Sequence, residues 1–387
     1  MIEIGVLTTT RAEYGLLRSL IFALNKESDF NVNVLVSGTH LSKSFGSTYK
    51  EIEKDGIEIA AKIEILDEDD TAKGMSYTMA AALRGFSDYF ENSNLDALIV
   101  LGDRYETLAV CCAALNCRIP IIHLHGGETT EGAIDEAIRH SITKMSCLHF
   151  TSTETYRKRV IQLGENPNKV YNVGAIGVEN VKRLNLLSQK EVFDKFGVNK
   201  PYFVMIFHPI TLEDCTVEEQ IGEVLNAIDE YAGYDWIILK ANADAGGRQI
   251  NELLENYAKC RENIHLFASL NVIDYLSAAK YSEAVIGNSS SGIIEIPSFS
   301  VPTVNIGDRQ KGRERSKTVI DCECEKDFIV DSIATALTND FKEKISHAEN
   351  PYEKGDTIKN IVEIIKNEAL VDGFLLKKKF YDIKFEV

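Results

Sequence analysis

The chain of 387 residues has no apolar run that approaches the roughly 20 residues needed for a membrane-spanning helix. Its eight cysteines form no CxxC pair, so free thiols are favoured over disulfides or a zinc site, and we expect no metal. The N-terminus lacks the basic start and small-residue cleavage site of a secretory signal. We therefore expect a cytoplasmic protein.

The chain also lacks an excess of positive charge: its formal net charge is −17. This acidic balance argues against nucleic acid or an anionic membrane as the main partner. With 44% hydrophobic and 26% charged residues, the composition is that of an ordinary globular protein. A chain of this length usually forms more than one hydrophobic core, so we expect two domains.

Short apolar segments alternate with amphipathic helical patterns along both halves of the chain. This alternation predicts parallel sheets covered by helices on both faces, that is, an α/β fold of two Rossmann-like, doubly wound domains. The predicted domains span residues 1–178 and 179–365, and residues 366–387 are expected to pack back toward the first. The predicted strands are Ile2–Leu7, Val32–Val36, Ala97–Leu101, Ile119–Leu124, Leu148–Thr151, Lys169–Val173, Tyr202–Phe207, Trp236–Lys240, Ile264–Phe267, Glu283–Ile286 and Pro302–Asn305. The helices predicted in the first half are Tyr14–Asn25, Ser76–Phe90, Glu106–Leu115, Glu136–Met145 and Thr153–Leu163.

The stretch GNSSSGIIEIPSFSVPTVNIGDRQKGRER, at residues 287–315, carries the strongest ligand signal. Its hydroxyl groups (Ser289, Ser290 and Ser291) precede a helical pattern, and the partial positive charge of a helix N-terminus suits a phosphate. Glu295 could reach ribose hydroxyls, and the loop that follows supplies the cations Arg309, Lys311, Arg313 and Arg315. Together they indicate a nucleotide diphosphate site. The competing interpretation is a plain serine N-cap followed by a solvated basic loop.

Polar residues also cluster after the other predicted strands, where open α/β sheets bind ligands. Any single cluster could be turn or capping chemistry, but five at equivalent strand ends favour a site. His208, at a strand end before a proline, is a candidate to face a ligand. His123 and His125 are alternatives near the end of one predicted strand, and His125, which lies closer to the loop, is the better candidate. The clusters contain Arg11; Asp103 and Arg104; His125, Glu128 and Asp135; His208; and Asn242 and Arg248.

These motifs, in this order, resemble the UDP-N-acetylglucosamine 2-epimerases, in particular the hydrolysing branch used in sialic acid and related nonulosonate synthesis. The resemblance covers nearly the whole chain. It rests on TTTRAEYG, LGDRYE, HLHGGETTEGAIDEAIRHSITKM, the HP and T of HPIT, NADAGGR, GNSSSGIIEIPS, NIGDRQKGR and KKFYDI.

The resemblance implies a two-domain GT-B fold with the active site in the cleft, and no metal or nicotinamide cofactor. It implies conversion of UDP-N-acetylglucosamine and water to UDP and N-acetylmannosamine through a 2-acetamidoglucal. Asp103 and Asp135 would be catalytic acids and bases, and His208 would contact the sugar diphosphate. Glu295 would bind the ribose. The nucleotide would be held by Arg11, Arg104, Asn242, Arg248, Ser289, Ser290 and Arg309. Relatives form dimers or tetramers, so a homo-oligomer is expected.

One departure leaves the assignment of acid and base open. Many relatives carry glutamate where this chain has His125, so either His125 or Glu128, three residues on, would take over that role. The substrate is also open, because the branch includes enzymes that act on UDP-N,N′-diacetylbacillosamine. The alternatives in other classes are the non-hydrolysing epimerase, a GT-B glycosyltransferase and a UDP-sugar sensor. The acidic trio of Asp103, Glu128 and Asp135 argues against the last two.

Overall fold

The alternating apolar and amphipathic segments fold as parallel strands and as the helices that cover them. The structure is a computed structural model that describes residues 1–67, 69, 71–131, 133–210, 215–242, 246–371 and 373–384. The chain divides into two units, which are described separately below. Residues 1–128, 135–180 and 352–387 form the first unit, and residues 129–134 and 181–351 form the second. The domain limits predicted at residues 178 and 365 stay a prediction.

The first unit is built on a seven-stranded parallel sheet with the order β3-β2-β1-β4-β5-β6-β7. Side chains alternate between its faces: Ile99 and Leu101 of β4 join one apolar cluster, and Leu98 and Val100 join another. The sheet is therefore buried on both sides. Its strands are β1 (Ile2–Thr8), β2 (Phe30–Ser37), β3 (Ile59–Ile63), β4 (Ala97–Leu101), β5 (Ile121–Leu124), β6 (Leu148–Thr151) and β7 (Val170–Asn172).

Helices that follow these strands cover the two faces of the sheet. The direction of strand order reverses between β1 and β4, so their carboxyl ends flank a topological switch point. The helices of the first unit are α1 (Arg11–Lys26), α2 (Tyr49–Lys54), α3 (Ala72–Glu91), α4 (Tyr105–Asn116), α5 (Asp135–Met145), α6 (Glu154–Gln162), α7 (Ile176–Arg183) and α15 (Thr357–Val371). The last residues of α7 belong to the second unit.

The second unit has a six-stranded parallel sheet with the order β10-β9-β8-β11-β12-β13, and its switch point lies between β8 and β11. Its strands are β8 (Tyr202–Ile206), β9 (Asp235–Leu239), β10 (Ile264–Phe267), β11 (Val285–Gly287), β12 (Thr303–Ile306) and β13 (Val319–Cys322). Its helices are α8 (Gln189–Phe196), α9 (Val217–Asp229), α10 (Gly247–Ala258), α11 (Val272–Lys280), α12 (Ser291–Ile294), α13 (Lys326–Leu337) and α14 (Asn339–Ile345).

The predicted fold class is confirmed, and every predicted strand is present within two residues at each end. The sequence did not single out β3 and α2, which are short and partly exposed. Several residues of the resembling motifs lie outside the described residues: Gly132, Thr211 and residues 243–245. No helix in the described part of the chain is long and apolar enough to cross a membrane. Nor do the described residues bring together three His, Cys, Asp or Glu side chains that could hold a metal ion.

Candidate active site

Polar residues of the first unit gather at the carboxyl ends of the central strands. Asp103 follows β4, and His125 and Glu128 follow β5, the neighbouring strand. The loops are held together by backbone bonds, since the N–H of Gly102 donates to the carbonyl of Leu124 at 3.0 Å. The strand order thus brings together residues that lie more than 20 positions apart in the sequence.

A single buried guanidinium links the two carboxylates of these loops. Arg139, on α5, is 1% exposed and forms ion pairs with Asp103 through Nη2 and with Glu128 through Nη1, the latter at 3.3 Å. The side chain of Asp103 is 21% exposed, whereas that of Glu128 is 2% exposed. Only one of the two carboxylates therefore presents much surface to solvent.

The HGGE turn fixes the position of Glu128. His125 adopts a left-handed backbone with φ of 63°, and Gly127 has φ of 76°. A Cβ on Gly127 would lie 2.5 Å from the carbonyl oxygen of Tyr156, which leaves room for glycine alone. The turn therefore departs from the extended strand just after Leu124 and directs Glu128 inward.

Both ring nitrogens of His125 have partners within the protein. Nδ1 lies 3.2 Å from Oε1 of Glu128, and Nε2 accepts the backbone N–H of Ile176 at 3.4 Å. Because Nε2 is an acceptor, the ring hydrogen of the neutral tautomer sits on Nδ1 and is donated to Glu128. His125 is 7% exposed.

His123, the alternative histidine on the same strand, is fully buried. Its Nε2 lies 2.8 Å from the carbonyl oxygen of Gly102, and its Nδ1 lies 3.2 Å from the hydroxyl of Thr143. Burial lowers the pKa of His123 from 6.5 to about 3. His123 is therefore a neutral residue that ties β5 to α5 and to the loop after β4.

Asp135 is the first residue of α5, one helical turn before Arg139, and it is half-buried. Residues four apart share a face of a helix, so Asp135 and Arg139 project on the same side of α5. Next along this helix, His140 bonds Glu136 through Nε2 at 3.1 Å. The helix thus contributes one carboxylate at its start and one guanidinium a turn later.

The two predicted nucleotide-binding arginines of the first unit have acidic neighbours. Arg11 forms an ion pair with Glu51 of α2, which supplies the anion that a cation at a helix start requires. Arg104 donates from Nε to Glu106 at 2.7 Å. The nucleotide-binding role of both arginines stays a prediction.

In the second unit, the loops after β8 and β11 meet at the switch point. The side chain of Asn288 is fully buried, accepts the backbone N–H of His208 and donates to the carbonyl of His208, both at 2.8 Å. Nδ1 of His208 accepts the backbone N–H of Asn242 at 3.3 Å. The ring hydrogen of neutral His208 therefore sits on Nε2.

The serine cluster follows β11 as predicted, but the helix after it is shorter than the pattern indicated. Ser290 occupies the N-cap position of α12 without a side-chain cap bond, and α12 has only four residues before a 3₁₀ turn at Ile296–Phe299. The dipole of so short a helix is small, so an anion here would depend on hydroxyl and backbone N–H donors. Glu295 lies at the end of α12 and is 7% exposed.

The cationic loop after β12 is partly neutralised by its own aspartates. Lys311 pairs with Asp308 at 2.8 Å and Arg315 pairs with Asp321 at 2.7 Å. Arg309 donates to the backbone carbonyl of Asn288 at 3.2 Å, which brings it to the serine loop. Arg309 is therefore tied to the candidate phosphate site.

Two further predicted residues of the second unit, Arg248 and Arg313, differ in exposure. Arg248 is exposed at the start of α10, whereas Arg313 is 8% exposed. Residues 129–134 also belong to this unit, where the N–H of Glu131 donates to the carbonyl of Lys311 at 3.3 Å.

A family model described as UDP-N-acetylglucosamine 2-epimerase matches residues 22–366. The chain belongs to this family. The polysialic acid biosynthesis protein P7 of Escherichia coli is 42% identical over 99% of this chain and 98% of its own length. The hydrolysing GDP/UDP-N,N′-diacetylbacillosamine 2-epimerase of Campylobacter jejuni is 44% identical over 83% of this chain and 84% of its own length. Both support the expected hydrolysing branch.

Solved structures of the family share the fold. A UDP-N-acetylglucosamine 2-epimerase from Listeria monocytogenes superposes with a TM-score of 0.80 and 18% identity, over 100% of this chain and 99% of that one. The enzyme from Neisseria meningitidis, solved with UDP-N-acetylglucosamine bound, gives 0.78 and 19%, over 95% of this chain and 100% of that one. These structures confirm the GT-B type fold expected for a 2-epimerase.

Sequence reasoning gave no role in this 2-epimerase's candidate site to Arg139, Ser152 or Asn288. The spacing of four between Asp135 and Arg139 could have identified the arginine, because it puts both on one face of α5. Ser152, which donates to Glu128 at 2.7 Å, carries no comparable sequence signal.

Proposed function

We propose that the protein is a hydrolysing UDP-HexNAc 2-epimerase that converts UDP-N-acetylglucosamine and water to N-acetylmannosamine and UDP, for nonulosonic acid synthesis. The observation that carries the proposal is the pairing of Asp103 and Glu128 through buried Arg139 at the carboxyl ends of β4 and β5. A base that removes the weakly acidic proton on C2 must be ionised and held in place, and a neighbouring guanidinium favours both.

The reaction has two steps that both need proton transfer. In the first, a carboxylate takes the proton from C2, the C1–O bond breaks and its electron pair leaves with UDP, which gives 2-acetamidoglucal. In the second, water adds its hydroxyl to C1 and gives its remaining proton to a carboxylate, and a protonated group delivers a proton to the opposite face of C2. Asp103 and Asp135, on neighbouring elements of the first unit, are the proposed acid and base.

The second unit would hold the leaving group. Departure of UDP is easier when its charge is met by donors that are already in position. Ser289, Ser290 and Arg309 lie around the loop after β11, and His208, at the end of the neighbouring strand β8, is proposed to contact the sugar diphosphate. Glu295 is proposed to bind the ribose hydroxyls, and Arg11, Arg104, Asn242, Arg248 and Arg313 to support the nucleotide.

UDP-N,N′-diacetylbacillosamine is the second candidate substrate. Two relatives favour it: the Campylobacter jejuni enzyme described above, and a hydrolysing UDP-N,N′-diacetylbacillosamine 2-epimerase of Legionella pneumophila at 34% identity over 98% of this chain. The two sugars differ at C4 and C6, away from the bonds that react. The same carboxylates would therefore serve either substrate. A cytoplasmic location and a dimeric or tetrameric state are also proposed, on the family resemblance alone.

An assay of UDP release with each sugar nucleotide, with the free sugar identified by chromatography, tests this proposal. We expect UDP and a free 2-epimerised sugar in equal amounts, with the higher kcat/KM naming the substrate. UDP-N-acetylmannosamine without free UDP would identify a non-hydrolysing epimerase. UDP release only with an added acceptor would identify a glycosyltransferase, and binding without turnover would identify a sensor.

A further inference from the structure

Glu128 is a deeply buried carboxylate of the first unit's candidate site. It is 1% exposed, and both of its carboxylate oxygens have hydrogen-bond partners. Oε1 accepts the hydroxyl of Ser152 at 2.7 Å and lies 3.2 Å from Nδ1 of His125, while Oε2 accepts Nη1 of Arg139 at 3.3 Å. Hydrogen bonds to the charged form keep a carboxylate ionised, so this environment holds Glu128 as an anion.

His125 is held in the same network through both of its ring nitrogens. Nε2 accepts the backbone N–H of Ile176, so the neutral tautomer carries its hydrogen on Nδ1, beside Oε1 of Glu128. Both nitrogens of His125 therefore have partners within the protein.

Asp103 and Glu128 share Arg139 as a partner but differ in their exposure to solvent. Both carboxylates contact Arg139, but the side chain of Asp103 is the more exposed, at 21% against 2%. Asp103 is therefore the member of this cluster that a substrate can reach.

We propose that Arg139 and Glu128 form a buried positioning pair that holds Asp103 ionised and correctly oriented, and that neither Glu128 nor His125 exchanges a proton with the substrate. This inference rests on the proposed epimerase function. It resolves the choice between His125 and Glu128 by assigning the proton transfer to neither. Arg139 contributes to catalysis by holding and orienting Asp103, and Glu128 contributes by holding Arg139 in place.

The pH profile of kcat/KM distinguishes positioning from a purely structural role. In Arg139→Gln, the acidic limb should move to higher pH by about 1 to 3 units, because a carboxylate without its cation takes up a proton more readily. Arg139→Lys keeps the charge and should return the limb toward its wild-type position. An unmoved limb in a folded Arg139→Gln variant would overturn the proposal.

Glu128→Gln decides the proposal even where Arg139→Gln does not fold. We expect kcat to fall by less than about 100-fold, against about 1,000-fold or more for Asp103→Asn, because only the second removes a proton-transfer group. Equal losses in the two variants would show that Glu128 transfers a proton. Glu165→Gln is the matched control: Glu165 is also buried and bonded to Lys144, His149 and Lys378, but it precedes β7 at the opposite end of the sheet.

¹³C NMR of protein labelled at the Asp and Glu carboxyl carbons gives a readout without substrate. The Asp103 signal, assigned with Asp103→Asn, should titrate at higher pH in Arg139→Gln, and the Glu128 signal should stay that of an ionised carboxylate from pH 5 to pH 8. A Glu128 signal that titrates in that range would contradict the proposal. If the wild-type protein turns over neither sugar nucleotide, the epimerase function fails, while this titration still decides the electrostatic role of Arg139.

Discussion

At the scale of single residues, burial separates the polar groups that can take part in proton transfer from those that organise the site. His123 and Glu128 have partners at all of their side-chain polar atoms, whereas Asp103 keeps one-fifth of its side chain exposed. The sequence predicted which loops carry these polar groups, because polar residues after strands are visible in the pattern. It could not identify Arg139 as the link, because that contact depends on the three-dimensional packing of α5 against two loops.

Asp103→Asn and Asp135→Asn test the two proposed proton-transfer groups. Each removes one carboxylate with almost no change in volume, so we expect kcat to fall by about 1,000-fold or more while UDP affinity is kept. Steady-state kinetics and calorimetric UDP titration measure the two quantities. Near-native turnover in either variant would show that its carboxylate has been assigned the wrong role.

His123 makes a testable contribution to the pH dependence of stability. Its pKa is lowered from 6.5 to about 3 by burial, so between these pH values the unfolded state binds a proton that the folded state does not. The free energy of unfolding therefore falls as the pH drops through this window, by up to about 1.4 kcal/mol per pH unit for this group.

In His123→Gln, the slope of the free energy of unfolding between pH 4 and pH 6 should be shallower by about that amount. Urea denaturation followed by circular dichroism measures the slope. His347→Gln provides the control for the loss of a histidine that is exposed rather than buried. Identical slopes in wild-type and His123→Gln protein would contradict the neutral, buried assignment.

At the scale of elements, the strand order explains why residues distant in sequence converge. The alternation of strands and helices predicted both sheets, because buried parallel strands and amphipathic helices have distinct periodicities. The length of α12 was not predictable in the same way, since a serine cap and an apolar pattern say little about where a helix ends. The HGGE turn is another local feature whose geometry emerged only from packing against α6.

Gly127→Ala tests whether that turn is set by packing or by backbone conformation alone. Gly56 has nearly the same φ, 75° against 76°, but no heavy atom lies within 4 Å of the position of a Cβ. Gly56→Ala should therefore cost only the left-handed conformation, about 1 kcal/mol. Gly127→Ala should cost about 1 to 3 kcal/mol more, because its Cβ meets the carbonyl of Tyr156.

Urea denaturation and kcat of both glycine variants measure the difference. Gly127→Ala should also lower kcat, because the turn carries Glu128 into contact with Arg139. Equal loss of stability in the two variants would mean that the close approach to Tyr156 is relieved by a small shift of α6.

At the scale of the whole molecule, UDP should stabilise the second unit against unfolding. Trp236 is the only tryptophan in the sequence and is fully buried in the core of the second unit, so its fluorescence reports on that unit. UDP at 100 times its Kd should raise the free energy of unfolding measured by this signal by about 2.7 kcal/mol. In Arg309→Ala, the same UDP concentration should stabilise less. An unchanged Trp236 transition with saturating UDP would place the nucleotide elsewhere.

Proton NMR of the reaction in D₂O tests the central claim, hydrolytic epimerisation at C2, most directly. With UDP-N-acetylglucosamine or UDP-N,N′-diacetylbacillosamine, we predict free UDP and a 2-epimerised free sugar that carries deuterium at C2, because the proton removed in the first step is replaced from solvent. Free UDP with an unepimerised sugar that keeps its C2 proton would contradict this claim, since it would mean that the protein hydrolyses the sugar nucleotide without breaking the C2–H bond.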